Sequence, residues 1–375
     1  MKKLLGVDIG GTKCAVLDGE ASEEQILIRR KEVFETKQYP KPEHALEKIA
    51  ELIHKIAGNE IHLYSGIGIS CGGPLDTKSG CILSPPNLPG WDHVEITAFL
   101  KDRFGLPVYL QNDANAGALA EWRYGAGKGL SDLVFLTCGT GLGAGLVLNG
   151  KLYAGCRDMA GEVGHVRLSE FGPVGFGKCG AFEGFGSGGG IANLAELKVM
   201  ELTQRGKKHP LTELGITAKN VFGLAKEGDE LCREICDTAG EYLGRGIAIL
   251  IDILNPQAVI GGSIFARNYD LLMPAVTRAV ERECLPESAE NCKILPAKLA
   301  ESIGDMAALT TALGDEAGIG MGLDMNVELD RGLELDIDVE SDKGIVSDKG
   351  IELDIHVESD KGTSIRIGQD QGGAV

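Results

Sequence analysis

Short apolar runs that end in glycine recur along this chain. Residues 4–9 run into Gly10-Gly11-Thr12-Lys13, and residues 15–17 form a second apolar run directly after. Two apolar runs joined by a glycine turn predict a β-hairpin. Residues 133–137, the turn Gly139-Thr140-Gly141 and residues 143–148 repeat the pattern. The two hairpins read as an internal repeat, one copy per domain. Between them, Ala45, Leu46, Ile49, Leu52, Ile53 and Ile56 have helical spacing, so a helix is expected over 44–56. Residues 67–70 predict a buried strand ending in the turn 71–74. Residues 108–110 predict another, which runs through 111–115 into a small-residue helix over 116–124. Residues 171–190 are glycine-rich and read as irregular. Helices are expected over 191–202, 231–254 and 303–313, with Val259-Ile260 entering Gly261-Gly262-Ser263.

The pattern changes near residue 317. Residues 335–345 nearly recur as 353–363, with apolar and acidic residues alternating. Residues 324–361 hold thirteen acidic and four basic residues, a net −9 and half of the chain's −18. Alternation permits a small β-extension with one charged face. Like-charge repulsion favours a poorly ordered appendage.

The 375 residues are enough for two domains, and 43% apolar content is enough for large cores. A net charge of −18 argues against a nucleic-acid partner, because phosphate binding needs a basic surface. The ten cysteines are scattered with no C-x-x-C pair, no apolar run is long enough for a bilayer, and Met1-Lys2-Lys3 leads straight into the first apolar run. Reduced thiols in a cytoplasm, with no membrane partner, are the expectation.

The glycine turns carry the candidate chemistry. In Asp8-Ile9-Gly10-Gly11-Thr12-Lys13, two glycines let backbone N–H groups approach phosphate oxygens. Thr12 adds a hydroxyl and Lys13 a cation, while Asp8 suits Mg²⁺ held through water. Gly139-Thr140-Gly141 is a second candidate phosphate loop, and Gly261-Gly262 offers flat backbone for an adenine or ribose. Each turn alone also fits a plain hairpin; three in this order are far more specific.

With these turns in place, residues 4–313 resemble the ROK family of sugar kinases and sugar-responsive repressors. The resemblance implies an α/β, two-domain actin-like ATPase (ribonuclease H-like) fold, each domain a mixed sheet with flanking helices. The expected division is 1–117, 118–316 and the acidic tail 317–375. It implies ATP and Mg²⁺, with Asp8, Gly10, Gly11, Thr12, Lys13, Gly139, Thr140 and Gly141 at the phosphates and Gly261 and Gly262 at the adenosine. The family's N-D-A-N-A motif stands in full at 112–116. The resemblance makes Asp113 the general base that takes the sugar hydroxyl's proton. Asp113 also fits a helix N-cap. Glu162-Val163-Gly164-His165 matches the family's E-x-G-H motif, so Glu162 and His165 are expected on sugar hydroxyls, with Asn112, Asn87, Glu183 and the backbone of Gly72 and Gly73. Trp91 reads as packing.

One family motif is broken. Most members follow E-x-G-H with C-x-C-G-x-x-G-C-x-E, whose three cysteines bind a structural zinc with the histidine. Here those positions hold Val174, Phe176 and Ala181, and Cys179 stands at a non-ligand position. His165 and one misplaced cysteine do not make a closed tetrahedral site, so no zinc is expected. The apolar replacements, with Phe182, imply a small hydrophobic cluster holding the loop instead.

The resemblance therefore points to an ATP-dependent hexose kinase, glucokinase first, with an N-acetylhexosamine such as N-acetylmannosamine, or fructose, as alternatives. It also implies a homodimer or homotetramer. Family repressors carry an additional N-terminal winged-helix domain, for which no room is seen ahead of Leu4. A non-catalytic sugar sensor is the alternative of another class, disfavoured by intact Asp8, Lys13, Asn112 and Asp113.

Overall fold

The computed structural model describes residues 1–318. The reading of the acidic repeat lies outside them. Two five-stranded sheets dominate. The first runs, edge to edge, Ile26–Glu35, Lys13–Ala21, Lys2–Ile9, Tyr64–Cys71, Val108–Asn112. The second runs Lys151–Leu152, Leu142–Leu148, Leu133–Cys138, Ala258–Gly261, Lys293–Pro296. In chain order both sheets read third, second, first, fourth, fifth. Both begin with an antiparallel glycine hairpin and add two parallel strands. The repeat expected from the two hairpins thus extends to the whole sheet, and the mixed α/β architecture is as expected.

The differences from the expected elements have local causes. Strand Ile26–Glu35 was not expected: it is an edge strand whose Arg29, Arg30 and Lys31 are exposed, so it shows no apolar run. The helix expected over 44–56 spans Pro42–Ala57, with proline in its first turn and Gly58 beyond its end. The segment expected to be irregular contains a short hairpin, Val174–Gly175 with Lys178–Cys179, a helix at Phe182–Gly186, and the first turn of helix Gly188–Gln204. Ser187 caps that last helix by accepting from Gly190 N–H at 3.0 Å, which offsets three glycines in its first turn.

Two segments cross between the sheets. Helix Asp113–Tyr124 leaves the fifth strand of the first sheet and leads to the second. It buries Ala116 and Ala120 with Leu4 and Leu309, and Ala118 with Leu133 and Phe135. Helix Ile303–Thr311 follows the fifth strand of the second sheet and returns, packing Ala308 and Leu309 on Gly6. The expected boundary at 117 therefore falls inside a helix, and Ile303–Thr311 lies on the first sheet. Glu121 ties the crossings together. It is fully buried, and its carboxylate accepts from the N–H groups of Ala126 (2.7 Å), Lys298 (3.2 Å) and Leu299 (2.7 Å).

Candidate active site

The first glycine turn closes the strands Lys2–Ile9 and Lys13–Ala21. Gly10 N–H donates to Lys13 C=O at 3.0 Å, and Thr36 braces the turn by donating its hydroxyl to Gly10 C=O at 2.7 Å. Gly11, Thr12 and Lys13 are exposed. Lys13 Nζ has only a loose ion pair, with Glu35 at 3.9 Å. A side chain at Gly11 would begin 2.6 Å from the Asn87 carbonyl, so glycine is required by a close backbone approach. The same asparagine lies against Gly72, and Asn112 Nδ2 lies 3.1 Å from where a Gly73 side chain would start. Gly11, Asn87 and Gly72 thus meet, as do Gly73 and Asn112.

Asn112, not Asp113, caps the following helix. Its side-chain oxygen accepts from Ala114 N–H at 2.9 Å and Asn115 N–H at 3.5 Å. That corrects the capping alternative for Asp113. Asp113 is the first helical residue, accepting from Ala114 N–H at 2.8 Å. Asp113 is solvent-accessible, yet the protein around its carboxyl raises its pKa by desolvation, with the Ala114 N–H acting the other way. Asp8 is pushed up to about 6, first by burial, then by the charges of Asp305 and Asp113, with Lys31 acting the other way. Asp305 was missed in the sequence because it sits in a helix without a motif. It pairs with Lys31 at 2.7 Å, and a side chain at neighbouring Gly304 would begin 2.8 Å from Asp8.

In the second sheet, Gly139 N–H donates to Gly141 C=O at 3.0 Å, making the second glycine turn around Thr140. Ser263 Oγ lies 3.9 Å from where a Gly139 side chain would start, so the turn at Gly261-Gly262-Ser263 adjoins it. Gly261 and Gly262 have a packing reason for lacking side chains: Phe265 and Phe135 fill the space within 2.1 and 2.9 Å. Ser263 has φ +51° and ψ −116°, strained backbone for a residue with a side chain. Cys138, at the strand end, is a packing group, since burial pushes its thiol to about 12.

Glu162 precedes the short 3₁₀ turn Val163–His165 and His165 ends it, and both are exposed. His165 is therefore not a core histidine. Glu183 Oε2 accepts from Leu142 N–H at 2.9 Å, which fixes it against the second glycine turn. The broken motif behaves in two parts. Ala181 and Phe182 are buried in the second core, with Phe182 against Gly246. Val174 and Phe176 are exposed, so the single cluster expected from the four does not form. Phe176 instead lies edge-on to His165, with centroids 4.8 Å apart and planes at 70°. Cys179 donates to Gly172 C=O at 3.1 Å. An aromatic ring beside His165 is no ligand, and these residues do not fit a tetrahedral zinc.

His209, Asp229 and Cys232 bring three metal-ligand types within 4.8 Å of one another. His209 Nδ1 accepts from Leu211 N–H at 3.3 Å, which puts the imidazole proton on Nε2. Nε2 donates to Asp229 at 3.1 Å, and Asp229 caps helix Glu230–Leu254 through Cys232 N–H at 2.8 Å. A metal on Nε2 would drive that proton to Nδ1, against the Leu211 donor. The cluster is a structural tie.

No helix among the described residues is long and apolar enough to cross a membrane. The chain is 32% identical to a glucokinase from Thermotoga maritima over 82% of this chain and 96% of that protein. A ROK family glucokinase from Streptomyces griseus, solved with glucose and AMPPNP, superposes with a TM-score of 0.66 at 29% identity over 83% of this chain and 99% of that one. A xylose repressor from Caldicellulosiruptor bescii is 31% identical over 67% of this chain and 63% of its own length. The sequence pattern of the ROK family matches residues 4–314, and the chain belongs to that family.

Proposed function

We propose that this chain is an ATP-dependent kinase that phosphorylates a free hexose, glucose first. The observation that carries this reading is Asp113: a carboxyl of raised pKa at the start of a helix, directly after Asn112, which lies against Gly73 and ends a strand of the same sheet as the Asp8 hairpin. A sugar hydroxyl is a poor nucleophile, and a carboxylate of raised basicity is suited to take its proton during transfer. Asn112, Asn87, Glu162, His165 and Glu183 orient the sugar. The turns at Gly10–Lys13 and Gly139–Gly141 receive the phosphates, and Gly261-Gly262 lies under the adenosine.

Asp8, with Asp305 and Asp113 nearby, forms a hard-oxygen set; burial first and then the charges of the other two raise Asp8, and a divalent cation relieves that repulsion. These residues therefore fit Mg²⁺, with Asp8 holding it through water. When bound, the ion neutralises charge that builds on the transferring phosphoryl group. Lys13 and the turn N–H groups act on the same charge. The loop around Phe176 is proposed to hold no zinc, and the protein to work as a cytoplasmic homodimer or homotetramer without nucleic-acid or membrane partners.

The test is a coupled ADP-release assay with Mg-ATP and a panel of hexoses and N-acetylhexosamines, run beside Asp113→Asn. The expected result is sugar-dependent release that falls about 10³-fold in the variant, the scale of a lost general base. Equilibrium sugar binding stays within about threefold. Loss of binding together with turnover would refute the general-base role. Sugar binding without release from any sugar would favour the sensor reading that the xylose repressor match supports.

A further inference from the structure

Among the described residues, one set of hydrogen bonds joins residues 1–112 to residues 133–296. Thr77 donates its backbone N–H (2.8 Å) and its hydroxyl (2.9 and 3.0 Å) to the carboxylate of Asp158. Both partners are held in stiff settings. Thr77 opens the turn between Leu75–Asp76 and Cys81–Ile82, whose Leu75 and Ile82 are buried in the first core. Asp76 shapes that turn by accepting from the N–H groups of Lys78 (3.0 Å) and Ser79 (3.2 Å). Asp158 sits at φ +56° in a loop that closes on itself through Ala160 N–H to Ala154 C=O at 3.0 Å. That loop is tied to the second sheet by Ala144 N–H to Gly161 C=O at 2.8 Å.

The sequence neighbours give this contact its meaning. Gly72, Gly73 and Asn87 bracket the Thr77 turn, and Glu162 and His165 follow the Asp158 loop. A bond between the two loops therefore sets the separation of the two groups of sugar-site residues. Neither partner was singled out in the sequence, because a lone threonine and a lone aspartate in loops carry no motif.

We propose that Thr77 and Asp158 form a clasp that holds the two sheets closed over the sugar site, so that breaking it weakens sugar binding by opening the cleft. The proposal rests on the kinase reading for its substrate, and on geometry alone for the closure. A ligand that binds one conformation loses affinity in proportion to the population of that conformation. A doubly donated carboxylate is a charge-assisted contact, among the stronger hydrogen bonds.

The experiment compares the full chain with Asp158→Gly, which suits the positive φ, and with Thr77→Val, which removes only the hydroxyl. Small-angle scattering of the ligand-free proteins reads the closure without needing any activity, and glucose titration reads the coupling. Both variants are expected to be less compact than the parent and to regain its profile at saturating glucose. The glucose dissociation constant is expected to rise about tenfold in Asp158→Gly and about threefold in Thr77→Val, consistent with losing hydrogen bonds to a charged group. The double variant should be no weaker than Asp158→Gly, since both substitutions remove the same contact. Unchanged ligand-free profiles in both folded variants overturn the clasp. Altered profiles with unchanged glucose affinity overturn its coupling to the sugar. A parent that binds no glucose refutes the substrate reading and leaves the scattering result to decide the clasp.

Discussion

The two glycine hairpins stand on sheets of the same strand order, yet they carry different chemistry. One residue before the last pair of each hairpin, Asp8 faces Ala15 in the first and Thr137 faces Gly143 in the second. The first turn is followed by Lys13, whose ammonium is exposed. The second is followed by Leu142, whose N–H is already held by Glu183. The first hairpin thus combines a carboxylate of raised pKa with a cation, and the second offers neutral backbone. Repetition supplied the scaffold twice, and a few side chains divided the work between the copies.

The largest effect that breaks this comparison comes from matched substitutions. Asp8→Asn is expected to lower kcat/KM for Mg-ATP about 10²-fold, by removing the carboxylate proposed to hold Mg²⁺. Thr137→Val, at the equivalent position, is expected to change it about threefold or less. Steady-state kinetics on both variants decides the matter, and equal losses would mean that the hairpins share the role.

A smaller effect separates the glycines. Gly11→Ala would place a methyl group 2.6 Å from the Asn87 carbonyl, so the first turn or the 85–90 segment must shift. The expected cost is about a tenfold rise in KM for ATP and for sugar, since small displacements at a reacting site are expensive. Gly143→Ala meets only ordinary contacts, at 3.6 Å from Thr137 and 3.9 Å from Ala114. Its activity is expected to stay within about twofold, with stability altered by less than about 1 kcal/mol. Kinetics and thermal melts on the pair check both statements.

How much of this was readable beforehand follows the same division. Elements that bury a continuous apolar run announced themselves: strands Lys2–Ile9, Tyr64–Cys71 and Leu133–Cys138, and helix Glu230–Leu254. Strand Ile26–Glu35 did not, because an edge strand needs only one apolar face and here shows little of it. Candidate site residues within a motif, such as Asp8 and Asp113, were singled out from that motif. Those that act through distant pairing were not: Asp305 meets Lys31 across 274 positions, and Glu121 meets Leu299 across 178. The loop at Val174–Cys179 was misjudged for a related reason. Four apolar residues suggest one cluster, but the backbone turns Val174 and Phe176 outward while Ala181 and Phe182 go in. Composition carries no information about that turn.

The last and smallest effect concerns protons. Asp8 titrates at about 6 in the folded chain, against an ordinary value of 3.8. Between about pH 4 and about pH 6, the folded state therefore keeps a proton that the unfolded chain has released. Stability must fall as pH rises through that window and level off above it, because the folded state binds more protons there. Thermal melts across the window should show this slope in the ligand-free protein. Asp8→Asn should flatten it, leaving a residue from Asp113, whose pKa is raised as well. Thr137→Val should leave the slope intact, since a hydroxyl at the equivalent position does not titrate. The same proton competes with Mg²⁺, so the Mg²⁺ concentration needed for half-maximal rate should rise as pH falls below about 6. A slope in Asp8→Asn as steep as the parent's would assign the titration to another group and remove the electrostatic distinction between the two hairpins.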